Sequence, residues 1–237
     1  FCESQNFQIA LNYHSSGNLL IYPWGFVESY ETPDSTLFRA FAKEMTKENN
    51  FVWGTGDQTV GYLTNGVSDD WMYGEQTTKN KIFSFTPEVG RRFDDGFWPT
   101  TQRIIPICQS NVWQNLTALR LLHNYALISE TSPQYVNSST ATISFNLKRI
   151  GLQNAGTFTV SIQPLTDNII AVGEPLSFTS LELEQTIEAQ IQLTLSDTIK
   201  QADAISFKLL LDNGQGLILE ETITKFYGQP TIAYTNN

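Results

Sequence analysis

Six runs of alternating apolar and polar residues occupy the second half of the chain, at 140–148, 157–164, 169–178, 187–195, 204–211 and 217–226. Each is rich in Thr, Ile, Val and Phe, and turn residues separate them at regular intervals. The segments ISFNLKRI and FTVSIQPL have a period of two, which turns one face of a strand to a core and the other to solvent. In LLLDNGQGLIL, Asn213-Gly214 stands between apolar arms, a hairpin signal. Six or seven short strands within about a hundred residues point to an all-β, immunoglobulin-like sandwich. No Cys…Trp…Cys pattern is present, so the expected likeness is one of shape. Composition changes near Ser129, and Thr131-Ser132-Pro133 reads as a linker. The expected domains are therefore 1–130 and 131–237.

The first part mixes helix and strand. FQIALNY at 7–13 reads as a buried strand broken by His14-Ser15-Ser16-Gly17-Asn18, and Leu19–Tyr22 as a second strand ending at Pro23. Residues 33–50 read as a helix capped by Thr32 or Asp34, with Leu37, Phe38, Phe41, Ala42 and Met45 at helical spacing. Residues 51–80, with five glycines and few periodic apolar positions, read as a long loop of the kind that carries function. KIFSFTPE at 81–88 reads as a strand. Residues 111–127 read as an amphipathic helix burying Val112, Leu116, Leu119 and Leu122.

Hydrophobic residues make up 41% of the 237 and charged residues 16%, a balance that excludes a disordered chain. A net charge of −10 argues against nucleic acid as a partner, because binding it needs clustered Lys and Arg. It is compatible with a basic substrate and a secreted life. No apolar run approaches the ~18 residues of a membrane span. No basic-then-apolar signal segment opens the chain at Phe1-Cys2-Glu3, so a mature or trimmed fragment is expected. Cys2 and Cys108 are expected to be unpaired.

Few residues offer chemistry. His14 ends a buried strand, where ligand sites occur in α/β sheets, and a hydrogen-bonded structural role is the plainer reading. His123 reads as structural or exposed. Glu88 closes an apolar strand and is either a half-buried carboxyl suited to proton transfer or a solvated strand end. Tyr62, Asp69, Asp70, Trp71 and Tyr73 share the glycine-rich segment, where the two acids bind a cation or simply shape a turn. There is no H-x-x-E, H-E-x-x-H or C-x-x-C, no phosphate loop and no nucleophile elbow.

Taken together, four segments resemble the zinc carboxypeptidase family. ALNYHSSGNLLIYPWGF at 10–26 resembles the strand and turn carrying its third zinc ligand, and GYLTNGVSDDWMYG at 61–74 resembles the loop with its mobile substrate-binding Tyr. FSFTPEVG at 83–90 resembles the strand that delivers its catalytic Glu, and residues 103–122 resemble the helix closing its catalytic domain. The resemblance implies a mixed-sheet α/β fold with His14 as a Zn2+ ligand, Glu88 as general base, and Tyr62, Ser15 and Asp69 as substrate-binding residues. Asp69 matches the position at the base of the pocket for the C-terminal side chain, which implies a preference for Lys or Arg termini. The following sandwich, with FKLLLDNG and Lys225-Phe226-Tyr227-Gly228, resembles the module that follows the catalytic domain in secreted bacterial carboxypeptidases. Peptide or protein C-termini are the implied partners, and an extracellular or cell-surface location the implied setting.

The departures from the family are equally specific. Its H-x-x-E zinc motif and the arginines that clamp the substrate carboxylate are absent, and Ser16 replaces an aromatic residue of the animal enzymes. The chain thus resembles the C-terminal part of the catalytic domain followed by a β-module. By itself it is expected neither to hold zinc tightly nor to cleave peptides. The competing reading is a non-catalytic peptide- or glycan-binding module, or a pseudoenzyme.

Overall fold

The structure is a computed structural model and describes residues 1–153 and 156–229. It divides into two compact units, Phe1–His123 and Asn124–Asn237.

The first unit holds strands β1 (Ile9–Leu11), β2 (Leu19–Ile21), β3 (Val52–Gly54) and β4 (Phe83–Glu88) in the order β1-β4-β2-β3. β1 runs parallel to β4, β2 antiparallel to β4, and β3 parallel to β2. Helix α1 (Ser35–Met45) buries Leu37, Phe38, Phe41, Ala42 and Met45, the stripe expected from spacing. Its Phe38 and Phe41 rings pack edge-on against Phe83, and Phe38 also meets Phe85, so the odd-numbered face of β4 closes the core. The helix is shorter than the expected 33–50. Asp34 stands at its N-cap without a capping bond, because its carboxylate takes the Tyr73 hydroxyl at 2.7 Å and Lys81 at 2.5 Å.

Two expectations for this unit are overturned. Residues 51–80 are not a continuous loop, since they contain β3, α2 (Gly56–Thr59) and α3 (Ser68–Gly74). Thr55 and Gln58 form a capping box that starts α2, and Ser68, Asp69 and Asp70 form the first turn of α3, where acids favour the helix N-terminus. The helix expected at 111–127 is α5 (Val112–Leu121), which stops at Leu121, follows a separate helix α4 (Thr101–Ser110), and buries a different face from the one expected. α5 buries Gln114, Thr117, Ala118 and Leu121, while Val112, Leu116 and Leu119 are 51%, 43% and 59% exposed. The packed side is the one facing α1: Trp113 Nε1 donates to the Glu44 carbonyl at 2.8 Å, and Asn49 donates to Gln114 at 3.1 Å. Apolar periodicity located a stripe but not the neighbour that covers it. Cys2 and Cys108 are free thiols, and His123 is exposed.

The second unit contains β5 (Ala126–Glu130), β6 (Tyr135–Val136), β7 (Thr140–Arg149), β8 (Thr157–Pro164), β9 (Ile169–Val172), β10 (Leu176–Thr179), β11 (Thr186–Leu195), β12 (Ala204–Asp212) and β13 (Ile218–Tyr227). They form two sheets, ordered β10-β8-β12-β13-β6 and β5-β7-β11-β9. Phe145 and Leu147 of one sheet and Phe158, Phe207 and Leu209 of the other belong to one buried cluster. The run expected as a single strand at 169–178 is two strands in different sheets: β9 pairs with β11 and β10 with β8. Gly173 and Pro175 lie at the crossing, and Pro has no N–H to extend a ladder.

The unit begins before the expected linker, because β5 pairs with β7 through Ala126↔Arg149 to Glu130↔Phe145. The 130–132 segment is pinned: the buried Lys225 ammonium donates to Glu130 at 2.9 Å and to the Ser132 carbonyl at 3.0 Å.

Candidate functional site

The site grows out of the β1–β4 pair. Their register, Ile9↔Phe83 to Leu11↔Phe85, continues past the end of β1 to an isolated bridge between His14 and Glu88. His14 N–H donates to the Pro87 carbonyl at 2.9 Å, and Val89 N–H donates to the His14 carbonyl at 2.9 Å. Because strand side chains alternate, Phe83, Phe85 and Pro87 turn to the core and Ser84, Thr86 and Glu88 to the opposite face. In a parallel pair, facing residues share a side, so Asn12 and His14 join Thr86 and Glu88.

That face opens into a cavity of about 390 Å³ whose walls include His14, Tyr62, Asp69, Asp70, Thr86 and Glu88. A neighbouring hollow of about 350 Å³ shares Tyr62 and Glu88 and adds Ser15, Ser16, Arg92 and Phe97. Ser15 donates to the Phe97 carbonyl at 3.1 Å, which ties the turn after His14 to the segment after Glu88.

The comparisons with known proteins bear on this same half of the chain. Residues 1–114 match the zinc carboxypeptidase family. Carboxypeptidase A1 of Bos taurus is 31% identical over 109 residues, 44% of this chain and 25% of that protein. Carboxypeptidase B of Astacus astacus is 31% identical over 107 residues, 43% of this chain and 34% of that protein. Residues 1–114 form a zinc carboxypeptidase-like region. The chain spans between a quarter and about a third of the length of these relatives. Among solved structures, thrombin activatable fibrinolysis inhibitor is similar at 25% identity, over 46% of this chain and 28% of that one, with a TM-score of 0.37.

Within the carboxypeptidase-like region, four of the five residues singled out from sequence line the first cavity, namely His14, Tyr62, Asp69 and Glu88; Ser15 lines the adjoining hollow. Glu88 is half-buried, and desolvation raises its carboxyl above the ordinary value, with His14 partly opposing the shift. Tyr62 is 61% exposed on a segment bounded by Gly61 and Gly66, both with the positive φ that glycine adopts freely.

Asp69 is only 4% exposed, and desolvation raises its carboxyl too. Three neutral donors counter that shift: Ser84 and Thr86 at 2.6 Å and Asn12 at 2.7 Å. Asp70 is raised by burial as well and receives the Gly25 backbone N–H at 2.9 Å. Both adjacent acids line the cavity but are held differently, Asp69 by side-chain donors and Asp70 by the Gly25 backbone.

Asn12, Ser84 and Thr86 escaped the sequence reading. The signal for the last two was present in the polar positions alternating with Phe83 and Phe85 on β4. Asn12 carried no such signal, since its role depends on what α3 brings opposite it.

Zinc in a catalytic site takes three protein ligands and a water. Among the described residues no group of three or more His, Cys, Asp or Glu side chains is arranged to hold a metal ion. The side chains of this cavity therefore do not make a zinc site on their own. Among the described residues no helix is long and apolar enough to cross a membrane.

Proposed function

We propose that the carboxypeptidase-like region is the C-terminal part of a metallocarboxypeptidase catalytic site that removes C-terminal residues from peptides, with a preference for Lys and Arg. The observation that carries this reading is the meeting of His14, Tyr62, Asp69 and Glu88 around one cavity at the ends of β1 and β4. Glu88 is the general base: its half-buried carboxylate takes a proton from the attacking water and delivers it to the leaving amine as the C–N bond breaks. Tyr62, on its glycine-flanked segment, closes over the bound terminus. Asp69 is a buried carboxylate whose hydrogen bonds come from the neutral side chains of Asn12, Ser84 and Thr86, with His14 a weaker electrostatic influence, so a cationic substrate side chain supplies a direct ion-pair partner.

His14 is one metal ligand in this reading, and the remaining ligands come from residues this cavity does not contain. The 237-residue chain alone is accordingly inactive. The second unit is an immunoglobulin-like sandwich accompanying a secreted enzyme. The same shortage of ligands favours one alternative, a peptide-binding module that has no catalysis.

The test is peptide hydrolysis by the complete gene product, with and without chelator, alongside this chain. Turnover by the complete product that chelator abolishes is the expected result, with the chain alone silent. Glu88→Gln is expected to lower kcat by roughly 10²–10⁴-fold. Chelator-sensitive turnover by this chain alone would contradict its assigned inactivity, and a complete product that binds peptides without cleaving them supports the binding module. Termini of Leu or Phe preferred by about tenfold or more, ~1.4 kcal/mol, would remove the basic preference.

A further inference from the structure

The carboxylate of Asp69, which lines the cavity, is not symmetrically available. Asp69 Oδ1 accepts two hydrogen bonds, from Asn12 Nδ2 at 2.7 Å and Ser84 Oγ at 2.6 Å, whereas Oδ2 accepts one, from Thr86 Oγ1 at 2.6 Å. Asn12 Nδ2 also donates to Ser84 Oγ at 2.9 Å, which occupies that oxygen as an acceptor and directs its proton to Asp69. A carboxylate oxygen offers about two lone-pair sites. Oδ1 is therefore filled, and Oδ2 retains one open site.

We infer that the cavity selects lysine over arginine as the substrate's C-terminal residue, and that Asn12 sets this choice by occupying Oδ1 of Asp69. The inference rests on the basic-terminus reading above and narrows it. A guanidinium binds a carboxylate best through two parallel N–H bonds to both oxygens. Here one arm of that fork meets an oxygen already saturated, and an unmet donor in a buried pocket is costly. An ammonium is a compact charge with three rotatable donors. It needs one site on Oδ2 and turns its other protons to Thr86 Oγ1, which still has acceptor capacity, or to water. Asn12 touches Asp69 and not the substrate, so it is a positioning residue.

The test is an NMR titration of the isotopically labelled chain with Nα-acetyl-lysine, Nα-acetyl-arginine and Nα-acetyl-leucine. The lysine ligand is expected to bind at least about threefold more tightly than the arginine ligand, and to shift the Asn12 side-chain amide. Asn12→Ala opens Oδ1, and the ratio is expected to fall toward unity or invert. Ser84→Ala opens the same oxygen by removing its other donor, so a misfolded Asn12 variant does not decide the matter. A lost contact that was merely structural would weaken both cations alike and leave the ratio unchanged. An arginine ligand bound as tightly as lysine by the unsubstituted chain, a ratio unmoved in both variants, or no response of the Asn12 amide to either cation overturns the inference. In the first case the cations still outcompete leucine and the basic-terminus reading stands. Leucine bound most tightly of the three overturns that reading and this inference with it.

Discussion

The two units solve the problem of burial differently. In the second, strands of eight to ten residues such as β7, β8 and β12 alternate cleanly, and their inner residues Phe145, Phe158 and Phe207 are fully buried. In the first, three of the four strands are three residues long, and apolar side chains on α4 and α5 remain on the surface. Leu119 lines a shallow hollow with Ile9, Leu11 and Leu122, next to β1 at the end of its sheet. The unit with the closed core has its polar groups arranged as local clamps. The unit with the more open surface brings the buried Asp69 and the half-buried Glu88 to the lining of one cavity. The candidate site lies where burial is less complete, since a site needs polar groups that packing alone would exclude.

Truncating the second unit's core is the hardest test of this contrast. Phe207→Ala is expected to cost about 3–5 kcal/mol, read by denaturant unfolding monitored at β12 amides. Leu119→Ala in the first unit is expected to stay within about 0.5 kcal/mol, as exposed positions do. Equal costs would erase the distinction.

The Lys225–Glu130 pair, with Lys225 only 2% exposed, is the next largest effect. Lys225→Met leaves Glu130 without its partner and is expected to cost about 3–5 kcal/mol, largely regained in the double variant with Glu130→Leu. A single variant as stable as the parent would show that the pair is no clamp.

A pH effect sharpens the account of the first unit. Arg103 Nε lies 2.5 Å from Asp95 and, with the Arg91 backbone N–H at 2.8 Å, holds that carboxyl below its ordinary value of 3.8. A depressed folded value means that the stabilisation is fully present above 3.8 and is lost as pH falls through the folded value. NMR titration of Asp95 should give a midpoint below 3.8, moving upward in Arg103→Gln. A midpoint at or above 3.8 in the parent would refute the assignment.

The smallest change concerns the surface stripe. Leu116→Lys with Leu119→Lys should leave stability nearly unchanged while reducing binding of an apolar dye. Undiminished dye binding would place the adherent surface elsewhere.

Much of this was legible in the residues themselves. The period-two runs located most strands of the second unit, and the α1 stripe was read residue by residue. The failures have one cause. Val112, Leu116 and Leu119 form a stripe as regular as that of α1, yet α5 packs through Gln114, Thr117, Ala118 and Leu121. Likewise, 169–178 is one continuous pattern that the fold divides between two sheets at Gly173 and Pro175.

Local pattern determined which segments extend, which coil into helix, and which face of each strand is apolar, because those properties depend on side-chain period and backbone preference over a few residues. Which face is covered, and which polar groups meet, depended on contacts between residues far apart in the chain. Asn12, Asp69 and Ser84 are separated by up to 72 positions, and only the β1–β4 register and the placement of α3 bring them within hydrogen-bonding distance. Hydrogen bonds act over about 3 Å, so no reading of spacing along the sequence anticipates them.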